Sequence, residues 1–547
     1  MNSIFTVLPI LQVPRKAALL ILCGMLGMSE SQAIEIKSPV WTFEGLGTVF
    51  GSPAIGPNGE IVVGTEETNT ESNSGKVYSF NPNGTVRWVY TGADWFDSSP
   101  AIASDGTVYI GCWDNYLYAL DGDSFKTSPD HYLWRFPTDS IITATPTIGP
   151  DGTIYIGSHD GILYAISPPG FNEAEPTEKW RYDSTSPIEG GTVLNDAGNT
   201  LYFGNEDGQL HAVDTATGNK VWSFQVPAFH DLLDKPYQRA IYSAPLIDST
   251  DQVYFGCENG RLYELSSTGT LSDSFPAEDS ILCSPIMDAL GRLFFASQDG
   301  YLYAVASDGD LGGMIQLWEV FVGDILYCTP AMDDNSNIII AGYSGSAETG
   351  NATTVFSVSL SGVVQWSFSF PTLNDSSPNI APDGSIYIGA HENLLNGQSG
   401  KLYKFQGGAP LAQSGWPRFG SNRRQTGWID DLFEPDLVDY FPDIEYNLLN
   451  LSYVPWFGQG FIEDAGLPLV RHTEHGEIWM AQSSEDGVIF YDYVLASWIF
   501  APSAAPNYGY LLNGGYWIYH AMGTSVQTGR WFYSYQTSSW VGDSELN

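Results

Sequence analysis

Two short segments of this 547-residue chain gather residues that could hold a metal, and in both the spacing argues against an ion. His472-Thr473-Glu474-His475-Gly476-Glu477 gathers two imidazoles and two carboxylates, donors that zinc accepts. Residues three apart on a strand point to opposite faces, however, so the histidines would be separated and the segment reads as a polar surface loop. Asp333-Asp334-Asn335-Ser336-Asn337 places oxygen donors at alternate positions, as calcium loops do, but lacks the Gly and distal Glu that complete such a loop, and reads as a hairpin turn. His159 and His391 fall at equivalent turns of the repeat described below and read as solvated. Beyond the N-terminal apolar run the cysteines are Cys112, Cys257, Cys283 and Cys328; no two adjoin and no Cys-x-x-Cys-His occurs, which excludes a c-type haem attachment. Neither a Gly-x-Ser-x-Gly elbow nor a phosphate loop is present.

Binding chemistry is better marked than catalysis. A Pro recurs at 53, 100, 146, 245, 285, 330 and 378, and two residues before it stands a small side chain: Gly51, Ser98, Ala144, Ser243, Cys283, Cys328 and Ser376. One position earlier the residues diverge into Phe50, Asp97, Thr143, Tyr242, Leu282, Tyr327 and Asp375. Variation on a uniform scaffold is where recognition resides. Asp94-Trp95-Phe96-Asp97 and the loop from Phe229 to Tyr237 add aromatics and charge. Trp95, Asp97, Tyr242, Tyr327 and Asp375 are therefore the candidate rim-binding residues.

The elements that position them come from an internal repeat. Ser99-Pro100, Asp105-Gly106, Val108-Tyr109-Ile110-Gly111, Leu117-Tyr118-Ala119-Leu120 and Leu133-Trp134-Arg135-Phe136 form its fullest copy, and a degenerate copy near Gly190-Gly191-Thr192 brings the number of units to eight. Tryptophans keep the interval, at 41, 88, 134, 180, 222, 318, 366 and 416, with Phe275 near the beat that lacks one; the spacing is about 47 residues, in the range of propeller blades. Asp-Gly or Asn-Gly turns at Gly106, Gly152, Gly161, Gly208, Gly260, Gly300 and Gly384 punctuate short alternating runs, so each unit reads as four antiparallel strands. Four-stranded sheets bury their faces by stacking round an axis, which predicts an all-β, eight-bladed β-propeller. The signature of a fourth strand in Trp41-Thr42-Phe43 stands before any first strand and competes with Trp416-Pro417-Arg418-Phe419 to complete the last blade. Cys283 and Cys328 occupy equivalent positions of adjacent blades; an oxidising compartment would permit a disulfide between them, but such positions are expected to lie beyond the Cα limit of about 7 Å, which favours buried free thiols over a bridge.

Ala212-Val213-Asp214-Thr215-Ala216-Thr217-Gly218-Asn219-Lys220-Val221-Trp222 reproduces the tryptophan-docking pattern A-x-D-x-x-T-G-x-x-x-W. With it, the repeat from Trp41 to Gly427 resembles the PQQ-like (pyrroloquinoline quinone repeat) β-propeller family, in its non-enzymatic, BamB-like branch. The resemblance implies that Ala212, Asp214, Thr217, Gly218 and Trp222 are a structural motif whose indole packs on the neighbouring blade. It also implies a rival function, the PQQ- and calcium-dependent quinoprotein dehydrogenases. Those enzymes carry an adjacent Cys-Cys pair over the quinone and long inserted loops, and this chain has no such pair.

Asp and Glu outnumber Lys and Arg by 63 to 21, for a net charge of −42, which repels nucleic acid and anionic membranes and favours cationic partners. Arg15-Lys16, an apolar run from Ala17 to Met28 and Ser31-Gln32-Ala33 read as a signal peptide over 1–33, too short to span a bilayer. Leu22 before Cys23 is larger than a lipoprotein signal tolerates. The propeller is expected over 34–428. A small aromatic-rich C-terminal β module is expected over 429–547, where the only cations are Arg471 and Arg530. The sequence thus predicts an exported, non-catalytic scaffold in the periplasm, at the cell surface or outside the cell, with no cofactor, binding a protein or a surface glycan at the envelope.

Overall fold

The structure is a computed structural model that describes residues 35–68, 73–122, 132–169, 175–227, 239–307, 313–346, 350–391 and 400–412, and eleven strands between residues 445 and 542. All the described secondary structure is β, eight blades and one eleven-stranded sheet, and no described helix is long and apolar enough to cross a membrane. The region read as a signal peptide lies outside the described residues, as do the Phe229–Tyr237 loop and Trp416.

Each blade starts with a two-residue inner strand, such as Ala101–Ile102 of blade 2, followed by antiparallel second, third and fourth strands, there Val108–Gly111, Tyr116–Leu120 and Tyr132–Pro137. The second strand is buried on both faces, because neighbouring blades cover it on either side. The seven glycines of the Asp-Gly and Asn-Gly turns all have positive φ, from 73° to 92°, the conformation a tight hairpin requires.

Ring closure is decided. Trp41–Leu46 pairs with Gly400–Gln406 and forms the fourth strand of blade 8, ahead of Asn379–Ile380 and Ser385–His391. A clasp that the sequence does not announce precedes it: Glu35–Ile36 adds a fifth, parallel strand to blade 7 beside Val364–Phe370. Lys37 then reaches both blades, donating to Gln406 O and lying 4.6 Å over the Trp366 ring. A girdle of hydroxyls crosses the same seam further in, where in five successive blades the residue before the Pro gives its N–H to its counterpart in the next blade. The run is Ala244 to Ser284, Ser284 to Thr329, Thr329 to Ser377, Ser377 to Ser52 and Ser52 to Ser99, at 2.8–3.0 Å.

The docking motif divides its labour between blades. Trp222 sits opposite Ala212 and donates its indole N–H to Ser267 O of blade 5, over Gly269. Gly218, in turn, receives Trp180 of blade 3, whose N–H goes to Thr215 O, while Asp214 holds the turn through the Thr217 amide and hydroxyl. A Cβ at Gly218 would meet Trp180 at 2.7 Å, and its φ of +71° is a second reason for glycine. Trp222 itself is only half-buried, whereas Trp88, Trp134 and Trp366 are buried. Blade 5 departs from the pattern. Register places Asp273, not Phe275, in the tryptophan slot, opposite Glu264, and the Asp273 carboxylate accepts the Met314 amide of blade 6.

Cys283 and Cys328 are buried free thiols, as are Cys112 and Cys257. The Asp333–Asn337 segment is a turn: Asp333 accepts from the Asn337 amide and side chain, and Ser336 takes a φ of 62°. The C-terminal strands run from Glu445–Tyr446 to Ser539–Gly542 as one eleven-stranded antiparallel meander in sequence order, with aromatic register pairs such as Tyr491 with Trp498 and Tyr533 with Trp540. His472 pairs with Gly476 across a hairpin, and the turn that carries His475 lies outside the described residues.

Candidate functional site: the axial mouth

The rim residues are aimed by their neighbours. Before each stands a plug buried to within 1% exposure: Val49, Phe96, Ile142, Ile188, Ile241, Ile281 and Leu326. Most of these plugs sit on the glycine that ends the second strand of the preceding blade. A Cβ at Gly111, Gly157, Gly204 or Gly256 would come within 2.2–2.4 Å of Ile142, Ile188, Ile241 or Ile281, so only glycine leaves room for the plug. After each plug comes the rim side chain, half-buried except for the exposed Tyr327, and then the small buried residue. At blade 8 the plug is polar instead: Asn374 donates to Gly389 O.

Rim residues from all eight blades line one cavity of about 180 Å³ on the axis: Phe50, Asp97, Thr143, Glu189, Tyr242, Leu282, Tyr327 and Asp375. Glu189 is the one that sequence reasoning missed, because its blade lacks the Pro used to find the others. Trp95 does not line this cavity; its ring lies 4.9 Å from Trp113 in an edge-on contact.

A second tier surrounds the rim and was also missed. The residue two past the small residue ending each second strand donates its amide to a carbonyl two residues before the rim position. These are Glu66 to Thr48, Trp113 to Trp95, His159 to Ile141, Glu206 to Pro187, Glu258 to Ala240, Gln298 to Ser280, Tyr343 to Ile325 and His391 to Leu373. The spacing Gly-x-X after the second strand would have revealed it. Its side chains lie between successive rim positions. His391, 2% exposed and not solvated, stands 3.9 Å from Asp375 and 5.0 Å, ring to ring, from Phe50. His159 is half-buried and bonds Thr143 Oγ1 at 2.9 Å.

The mouth is an acidic site in a poorly solvated setting. Burial, then the Glu66 carboxyl, push Asp97 up to about 8, with Asp94 adding to the shift and the Trp113 indole opposing it. Glu66 rises to about 7, chiefly through burial. Burial also raises Asp375, against the pull of His391, and raises Glu189 to about 7 with Glu206 adding. Because Glu66 and Asp97 bind protons more tightly folded than unfolded, their contribution to stability is complete below the ordinary carboxylate range and is lost as pH rises through 7 to 8. The thermal midpoint should therefore fall between pH 5 and 8, and the fall should be shallower in Glu66→Gln; scanning calorimetry across that range checks both.

The model of the family described as outer membrane protein assembly factor BamB matches residues 73–310, from blade 1 into blade 6. Over that segment the repeats are similar to those of the PQQ-like propeller family. Among solved structures, BamB from Moraxella catarrhalis aligns with a TM-score of 0.50 at 17% identity, covering 68% of this chain and all of that one. The C-terminal WD40 domain of Sif2 aligns with a TM-score of 0.49 at 12% identity, over 68% of this chain and 99% of that one. No curated protein matches the chain. At these identities the structural likeness concerns the propeller architecture alone, so the chain has to be read for function from its own mouth.

Proposed function

We propose that this chain is an exported, non-catalytic propeller that holds a protein partner at the cell envelope by taking a projecting lysine or arginine into its axial mouth. In this reading residues 1–33 are a removable leader, 34–428 the propeller and 429–547 an aromatic module offering a second contact surface. The observation that carries it is the composition of the rim: on a scaffold otherwise uniform from blade to blade, three carboxyls (Asp97, Glu189, Asp375) and three aromatics (Phe50, Tyr242, Tyr327) face one cavity. Carboxylates backed by aromatic faces suit an ammonium or guanidinium group. The family match to an assembly factor supports a scaffold over an enzyme. So does Cys283, the one thiol lining the cavity: burial holds it far above the range in which a thiolate would form.

The test is capture of the partner from envelope extract, followed by calorimetry with Asp97→Asn and Asp375→Asn. Loss of one charge facing a desolvated cation should weaken binding at least tenfold, about 1.4 kcal/mol or more. Affinity should also rise from pH 6 to 9 as Asp97 ionises. Unchanged affinity in both folded variants would move the contact elsewhere, foremost to the C-terminal module. A glycan ligand would instead show sensitivity at Tyr242 and Tyr327, whose rings would stack on sugars, with no response to the charge substitutions.

A further inference from the structure

We infer that the mouth carries a binding site for a divalent transition-metal ion, of the zinc class, built by His159, Glu189 and Glu206 where blades 3 and 4 meet. His159 comes from the second tier of blade 3, Glu206 from the second tier of blade 4, and Glu189 from the rim of blade 4. One ligand atom from each lies within 4.8 Å of the other two. His159 Nε2 and Glu189 Oε1 stand 3.5 Å apart, a separation that two ligands of one zinc ion also adopt, since bonds of about 2.0–2.2 Å in tetrahedral geometry place their donors there. Thr143 Oγ1 lies 2.9 Å from the same Nε2, a hydrogen bond that coordination would replace.

Three features make this more than a group of surface acids. The donors reach the point from three separate backbone segments, each fixed by the amide-to-carbonyl bond of its tier or by a buried plug, so the arrangement is preorganised. The set is mixed: one imidazole nitrogen with two carboxylates suits zinc, manganese or iron(II), whereas calcium and magnesium prefer oxygen alone. Glu189 and Thr143 line the axial cavity, so a coordination position would face the space a partner enters. Such an ion would have three protein ligands and an open site, the arrangement that lets a metal accept a ligand from outside. The inference shares Glu189 with the cation-accepting rim proposed above, but its readout, metal binding lost with His159 or Glu206, is separate from the partner test at Asp97 and Asp375 on other blades.

Full-length protein, stripped with chelator and titrated with zinc chloride by calorimetry in excess calcium and magnesium, should bind one ion at this site. Cobalt(II) should give the visible absorption of a four- or five-coordinate centre. His159→Ala should lower zinc affinity at least a hundredfold, and Glu206→Gln at least tenfold. Both variants should melt as the metal-free wild type does, which separates ligand loss from misfolding. His475→Ala should leave binding intact. The inference is overturned if zinc competes no better than calcium, if folded His159→Ala and Glu206→Gln bind as the wild type does, or if His475→Ala alone abolishes binding.

Discussion

Trp88→Ala will destabilise the propeller by about 3 to 5 kcal/mol, the cost of emptying a buried indole site. Trp88 is 8% exposed and donates to Gly122 O at 2.9 Å, so truncation leaves both a cavity between blades 1 and 2 and an unpaired carbonyl. Trp222→Ala, in the one blade with the full docking motif, will cost roughly half as much, because its indole is half-buried and its partner Ser267 O regains water. Denaturant midpoints measured side by side check the order. A larger loss at Trp222 would mean that motif completeness, and not burial, sets the strength of an inter-blade joint.

Gly400→Val should be more damaging still, at about 4 kcal/mol or more, because the obstruction is backbone and cannot swing aside. A Cβ at Gly400 would lie 1.9 Å from Gly47 O and 3.3 Å from Ala390 O, at the point where Leu46 of the closing strand pairs with Gly400. The substitution must push that strand off blade 8. Gly106→Ala is the control: nothing lies within 4 Å of the added methyl, so only the positive φ is paid for, at about 1 to 2 kcal/mol. Thermal midpoints should separate the two, and limited proteolysis of Gly400→Val should cut first near Trp41.

The eight blades were legible because the repeat writes each turn in the same residues: Gly106, Gly152 and Gly384 need positive φ, and little else supplies it. The rim was legible for the same reason, through the Pro that follows it, and Glu189 escaped because its blade has Gly190-Gly191-Thr192 there instead. The second tier was harder. Its members, from Glu66 to His391, share a backbone bond and no side-chain chemistry, so no composition marks them, and His159 and His391 taken singly looked like solvated turn residues. Phe275 marks the beat that lacks a tryptophan only approximately; cross-strand register shows that the slot opposite Glu264 is filled by Asp273, two residues earlier. The choice between Trp41 and Trp416 turned on pairing across the whole domain, which local pattern does not encode.

The closing strand also sets an order of events. Glu44 and Lys401 bond at 2.9 Å across 357 residues of chain, and Ser377 meets Ser52 across 325. The first strand of the propeller to be synthesised is thus the last to find its place, and contacts of such separation form slowly. Phe50 and Asp375 flank that seam with His391 between them. An incomplete chain can build good blades and still have no mouth, so the protein becomes competent to recognise anything only when its final blade has been made.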